Sequence, residues 1–287
     1  MTRPRPRVVL TVAGTDSSGG AGVAADLRTF AACGVWGTVA VTAVTAQSSL
    51  GVQRVQNLDP DIVRAQVESV AGDIGVDAVK TGMLGTAAVA HAVAESLREL
   101  AVAPVVVDPV VLATSGDRLL DPDAVAVLRE ELLPQAAVVT PNLAEALLLA
   151  GVDAREAGRL RDRAGIAALA RAVLDLGPGA VLLTGGHLGD GDDGGGVGDD
   201  WGDGSPDCLV ARDREVEWLE GERVDTAATH GTGCVLSAAL AARLALGDTL
   251  PRACRAAKDL VSRALRGAVT LGSGPGSVDP SAGRIEP

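Results

Sequence analysis

Aromatic residues are nearly missing from this chain: one Phe (Phe30), three Trp (Trp36, Trp201 and Trp218) and no Tyr in 287 residues. A core of that size must be built from Val, Leu, Ala and Ile, and the stacking platforms used by single-stranded nucleic acid are almost unavailable. Basic charge is scarce as well. Lys and Arg number 25 against 37 Asp and Glu, a formal net charge of -12. That balance excludes an extended basic footprint for nucleic acid and leaves any anion site to be assembled locally. Only Lys80 and Lys258 are lysines. The four cysteines, Cys33, Cys208, Cys234 and Cys254, lie far apart with no Cys-x-x-Cys pair. Such spacing suggests neither a disulfide framework nor a zinc site, and a reducing, cytoplasmic setting is the default. Long apolar runs are lacking too. Residues Thr29 to Gln53 carry no charge, but Gln47, Ser48, Ser49, four threonines and three glycines interrupt them, so no membrane span is expected. The Arg-rich start, Arg3 to Arg7, precedes an apolar run too short for a signal peptide, and Asp16 ends it.

What is present is a globular balance of 47% hydrophobic and 22% charged residues, enough to bury a sizeable core. Short runs rich in Val and Leu alternate with longer segments of helical spacing, the pattern of βαβ units on a mainly parallel sheet. The strands expected are Arg7–Gly14, Thr38–Thr45, Ala78–Gly82, Pro104–Pro109, Ala137–Pro141 and Val181–Gly185. They are apolar throughout, so helices should cover both faces. Helices are expected over Ala21–Cys33, Asp61–Gly72, Ala87–Leu100, Pro122–Leu132, Leu143–Ala150, Arg159–Leu176, Thr232–Leu246 and Pro251–Thr270, with a short hairpin at Cys208–Arg212 and Val216–Leu219. The result is an α/β fold, a three-layer α/β/α sandwich in one domain over 1–287, ending in a loose tail at 271–287. Gly189 to Asp207 holds eight Gly and seven Asp in 19 residues, which reads as a flexible insertion. A calcium site there is disfavoured, because its nonapeptide core occurs once and an EF-hand loop from Asp190 would end on Trp201.

Two glycine-rich segments carry the chemistry. Gly14-Thr-Asp-Ser-Ser-Gly-Gly-Ala-Gly22 lies between a strand and a helix, where backbone amides come close to a ligand. It lacks the Gly-Lys-Ser/Thr of a P-loop. Its Gly20-Ala-Gly-Val-Ala-Ala25 fits a dinucleotide fingerprint, yet residues 38 to 53 offer no acidic ribose ligand. A plain strand-to-helix turn also remains open. His230-Gly-Thr-Gly-Cys234 opens an apolar helix, so unpaired amides and the helix dipole favour a transferring phosphoryl group there. Cys234 in the first turn should have a lowered thiol pKa and serve as base or nucleophile. The alternative is a glycine-softened cap with a buried cysteine.

Taken together, Ala13–Gly22, Ala25–Thr29, Thr45-Ala-Gln47, Lys80-Thr-Gly-Met-Leu84, Asp108-Pro-Val110, Ser115-Gly116, Thr140-Pro-Asn-Leu-Ala-Glu145, Gly185-Gly-His187 and His230–Cys234 resemble the bacterial hydroxymethylpyrimidine and phosphomethylpyrimidine kinases of thiamine synthesis. Those enzymes are ribokinase-like, and the match is collinear from about residue 8 to 270. The resemblance implies ATP and Mg²⁺ as cofactors, a small-molecule substrate and, since related kinases often pair, a homodimer. It implies that Asp26 and Gln47 hydrogen-bond the aminopyrimidine while Gly14 and Met83 wall the pocket. Gly231, Thr232, Gly233 and Cys234 would form the anion hole, with Cys234 as base. Asp108, Asn142 and Glu145 would serve phosphate and magnesium, Asp108 and Glu145 directly or through water, and Lys258 would lie near the nucleotide. Asn142-Leu-Ala-Glu145 is also a plausible capping box. Lys80 reads as a buried anchor for loops. One departure stands out: the lysine that the family commonly places before Gly-Gly-His is Thr184 here, and a hydroxyl cannot cancel phosphate charge. Pyridoxal kinases of the same fold and a non-catalytic binding module are the rival readings.

Overall fold

The computed structural model describes residues 5–101, 104–113, 116, 119–153, 162–185 and 204–282. Among them, eight strands form one sheet in the order β10-β9-β8-β7-β6-β5-β1-β2. These are β1 (Val8–Ala13), β2 (Trp36–Val41), β5 (Ala78–Thr81), β6 (Val105–Val107), β7 (Val138–Val139), β8 (Ala180–Leu183), β9 (Asp207–Ala211) and β10 (Glu217–Leu219). The pairs from β2 to β8 are parallel, and at one edge the pairs β8–β9 and β9–β10 are antiparallel, so β9 alone is reversed in this sheet.

Side chains alternate across a strand, so neighbours in β1, β5, β6 and β8 feed opposite layers. Leu10, Val79, Val105, Val107 and Leu183 pack with α2 (Pro60–Asp73), α3 (Ala87–Leu100), α4 (Pro122–Val127), α5 (Leu143–Ala150) and α6 (Arg163–Leu174). Val9, Ala78, Val106 and Leu182 pack with α1 (Gly22–Ala32), α7 (Thr232–Ala245) and α8 (Leu250–Arg266). Each face is dry, which is why these strands read as unbroken apolar runs. The architecture is the expected α/β/α sandwich, and helices over 87–100 and 143–150 fall where periodicity puts them.

Four expectations need correction. The strand expected over Thr38–Thr45 breaks at Thr42, whose amide bonds Ala13 O and whose hydroxyl donates to Met83 O at 2.6 Å. The chain then leaves the sheet as β3 (Ala43–Ser48) and pairs with β4 (Gly51–Asn57) in a separate hairpin. That hairpin escaped notice because β4 is exposed and polar. The helix expected over Pro122–Leu132 changes at Leu128 into a wide π turn over Leu128–Leu132, just before Pro134. As far as Ala282 the tail does not trail: Val278 is fully buried, and Ser277 pairs with both Val269 and His230; residues 283–287 lie outside the described residues. Most of the segment 189–207 lies outside the described residues, but its end does not fit a flexible insertion, since Asp207 is buried at the start of β9.

Candidate active site

The carboxyl ends of β1, β5, β6, β7 and β8 and the amino end of α7 open on one cavity of about 640 Å³. Open α/β sheets bind ligands outside these strand ends. Gly14, Gln47, Met83, Asp108, Asn142, Glu145, Thr184, Lys258 and the turn Gly231 to Cys234 all line it. Thus the fold gathers residues spread over most of the sequence.

At one end, a Cβ on Gly14 would stand 3.0 Å from Met83 Sδ, so glycine leaves this wall open. The β3–β4 hairpin brings Gln47 over the opening loop. Thr15 donates its amide to Ala43 O, Thr45 donates amide and hydroxyl to Thr15, and Gln47 and Ser17 exchange bonds at 2.7 Å. The register shifts there, Ala46 pairing with Arg54 and Gln47 with Val52, so Gln53 of β4 is the extra residue. Asp26 is placed otherwise than the resemblance implies. It is fully buried, accepting from Lys80 Nζ at 2.9 and 3.0 Å and from Thr11 Oγ1 at 2.6 Å. It sits behind the pocket wall as the counter-ion of Lys80, because α1 turns its side chain toward the sheet rather than the cleft. Burial alone would discharge Lys80, but the carboxylates of Asp26 and Asp108 outweigh it and hold the ammonium charged. Glycine at 82 makes room, since a Cβ there would lie 2.8 Å from Nζ.

At the centre, the two glycine segments abut. Gly231 precedes α7 with φ 88°, and a Cβ on it would meet Gly20 O at 2.0 Å. Gly22 has φ 57° and likewise faces Gly14 O at 2.4 Å. The Gly22 amide favours the Cys234 thiolate. The expected lowering of the Cys234 thiol is overturned: burial pushes it up to about 12, and although Lys80 opposes the shift, Asp26 and Asp108 add to it. The amides of α7 favour the thiolate, but the low dielectric and the two carboxylates outweigh them.

On the remaining side, burial raises Asp108, with Lys80 and the Ser237 hydroxyl opposing. Burial and the facing Asp108 raise Glu145 to about 8. Two buried carboxyls turned to one cavity are hard oxygen donors that suit Mg²⁺ completed by phosphate and water. No cluster of three His, Cys, Asp or Glu residues forms a protein-only cage among the described residues. Asn142 and Glu145 do make the capping box of α5, with bonds of 2.9 and 3.0 Å. Thr184 lines the cavity while its amide bonds Pro141 O; residues 186 and 187, next in that motif, lie outside the described residues. Lys258 reaches Ser205 O at 2.6 Å and Asp207 at 2.8 Å, so much of its charge is already matched. Sequence reasoning missed Asp207, hidden among glycines and aspartates, and Arg223 and Thr140, which also line the cavity.

Comparison with known proteins decides among the rival readings. The family described as phosphomethylpyrimidine kinase matches residues 16–279. The chain belongs to this family. It is 47% identical over 284 residues to the hydroxymethylpyrimidine/phosphomethylpyrimidine kinase of Streptomyces coelicolor, covering 97% of both chains. The Escherichia coli enzyme of the same name is 45% identical over 267 residues, 93% of this chain and 94% of that one. Among solved structures, the kinase resembles an ADP complex of Bacillus subtilis pyridoxal kinase, with a TM-score of 0.84, 36% identity and coverage of 98% and 100%. Phosphomethylpyrimidine kinase from Clostridium difficile follows with a TM-score of 0.74, 34% identity and coverage of 90% and 99%. The protein is therefore a phosphotransferase with the ribokinase-like fold, and no helix of its described residues is long and apolar enough to cross a membrane.

Proposed function

We infer that the kinase phosphorylates 4-amino-5-hydroxymethyl-2-methylpyrimidine with ATP, and then its monophosphate to the diphosphate, for thiamine biosynthesis. The observation that carries this reading is the contact between the opening loop and the turn at α7, so close that a Cβ on Gly231 would meet Gly20 O at 2.0 Å. An alcohol beside Gly14, Gln47 and Met83 lies next to amides suited to a phosphoryl group. The alcohol oxygen forms a bond to the γ-phosphorus as that phosphorus loses its bond to the β–γ bridging oxygen of ATP, and ADP leaves. Cys234, as thiolate, takes the alcohol proton. Such transfers rest mainly on positioning and charge stabilisation, so a thiol this high is tolerable. Mg²⁺, held by Asp108 and Glu145 directly or through water, would neutralise the migrating charge. Arg223 and Lys258, on the side where Thr184 replaces a lysine, would steady the nucleotide phosphates. The four free cysteines fit a reducing cytoplasm.

Incubation with ATP, Mg²⁺ and the pyrimidine alcohol, followed by mass spectrometry, should yield mono- and diphosphate; neither product at high enzyme concentration overturns the reading. C234A should lose roughly 10²-fold in turnover. Pyridoxal deserves a parallel assay, because pyridoxal kinases are close structural neighbours. A kcat/KM for pyridoxal above that for the pyrimidine would transfer the assignment to that ring. Binding without ATP consumption would leave a non-catalytic module.

A further inference from the structure

Two loops that the chain keeps 214 residues apart meet at one side-chain contact: His230 Nε2 stands 2.8 Å from Asp16 Oδ2. The rest of that carboxylate serves its own loop. Oδ1 accepts from the Ser18 amide at 2.8 Å and the Ser18 hydroxyl at 2.7 Å, and Oδ2 accepts from the Ala21 amide at 2.8 Å. These bonds shape the backbone leading to Gly22, which lines the same cavity as Cys234. His230 is gripped on its other side as well, with its amide donating to Gly276 O at 3.3 Å and its carbonyl accepting from Val278 N at 3.1 Å. There is no slack between the loops, since a Cβ on Gly20 would fall 2.4 Å from the His230 ring. Both partners are well buried, with side-chain exposures of 13% and 2%. The ring is one residue from Gly231, so its anchorage sets the direction of the amides that open α7.

We propose that Asp16 and His230 form a latch that aligns the amides of Gly231 to Gly233 with the alcohol held by the opening loop, His230 acting as a positioning residue. The inference rests on the reading of this turn as the phosphoryl seat. A latch of this kind matters most in the transition state, where a misplacement of about 1 Å costs on the order of 10²-fold.

The test compares H230A, H230Q and D16N with C234A in the ATP, Mg²⁺ and pyrimidine alcohol assay, alongside thermal midpoints and calorimetric affinity for the alcohol without nucleotide. H230A should lose about 10²-fold in kcat while KM and affinity for the alcohol stay within roughly threefold. H230Q, whose amide nitrogen can reach Asp16, should recover about tenfold of that loss. D16N presents a donor to neighbouring donors and should behave like H230A. A lower thermal midpoint with unchanged kcat per folded molecule overturns the latch, as does a glutamine variant no better than alanine. Normal turnover in H230A beside an impaired C234A removes the latch and keeps the phosphoryl seat. Normal turnover in both removes the seat itself. Should H230A fail to fold, D16N carries the comparison, and wild-type kcat there overturns the proposal.

Discussion

Cys234 shows how far a single residue type speaks for itself. A thiol in the first turn of a helix suggests a lowered pKa, yet burial with Asp26 and Asp108 nearby lifts it to about 12. The thiolate is the reactive form, and well below the pKa its fraction grows about tenfold for each pH unit. Alkylation of Cys234 in the unliganded protein, mapped by mass spectrometry, should therefore climb from pH 7 to 9 with no plateau. A plateau near neutrality would contradict the raised value. Two hydroxyls give a second comparison. Thr81 Oγ1 and Thr140 Oγ1 are buried without a hydrogen-bond partner among the described residues, but only Thr140 lines the cavity. Replacing an unsatisfied buried hydroxyl by a methyl group should stabilise both T81V and T140V. Only T140V should raise KM for ATP, by about tenfold, as for loss of a hydrogen bond to a charged oxygen. Equal kinetics in the two variants would remove Thr140 from the site.

Among the larger pieces, the glycine loops were legible because positive φ and close approach leave few other residues possible. Gly22 and Gly231 both have positive φ and both face a carbonyl oxygen closer than any Cβ allows. G231A should lower stability by more than the ~1–2 kcal/mol of left-handed backbone cost, and the opening loop should shift with it. Chemical denaturation together with turnover checks this; a variant as stable and active as wild type would mean that the two segments part easily. The β3–β4 hairpin was not legible. Its second strand buries little, with Val55 half-exposed, so periodicity had no apolar face to report. What holds it is a set of bonds to Thr15 and Ser17, and those partners lie some 30 residues away.

Across the whole molecule, the chain after α8 closes the structure rather than leaving it. Gly274 donates its amide to Ser49 Oγ at 3.1 Å at the hairpin turn, Gly276 O accepts from His230, and Asp279 donates its amide to Ala264 O. Ending the chain at Leu271 should lower the thermal midpoint, since burial of Val278 alone is worth ~1.5–3 kcal/mol. It should also raise KM for the alcohol through the loosened Gln47 hairpin; an unchanged midpoint would show that the strap is incidental. Asp26 and Asp207 mark the boundary between pattern and packing. Both were visible as residues, one in a motif and one in a polar stretch, but their lysine partners stand 54 and 51 positions away. By itself, the amino-acid order determined the alternation of strands and helices, the dry sheet faces and the turns that only glycine can make, because these depend on neighbours within a few residues. Tertiary structure alone decided which carboxylates face the cavity, which neutralise a buried lysine and how high the thiol lies, because burial and charge are set by residues distant in the chain.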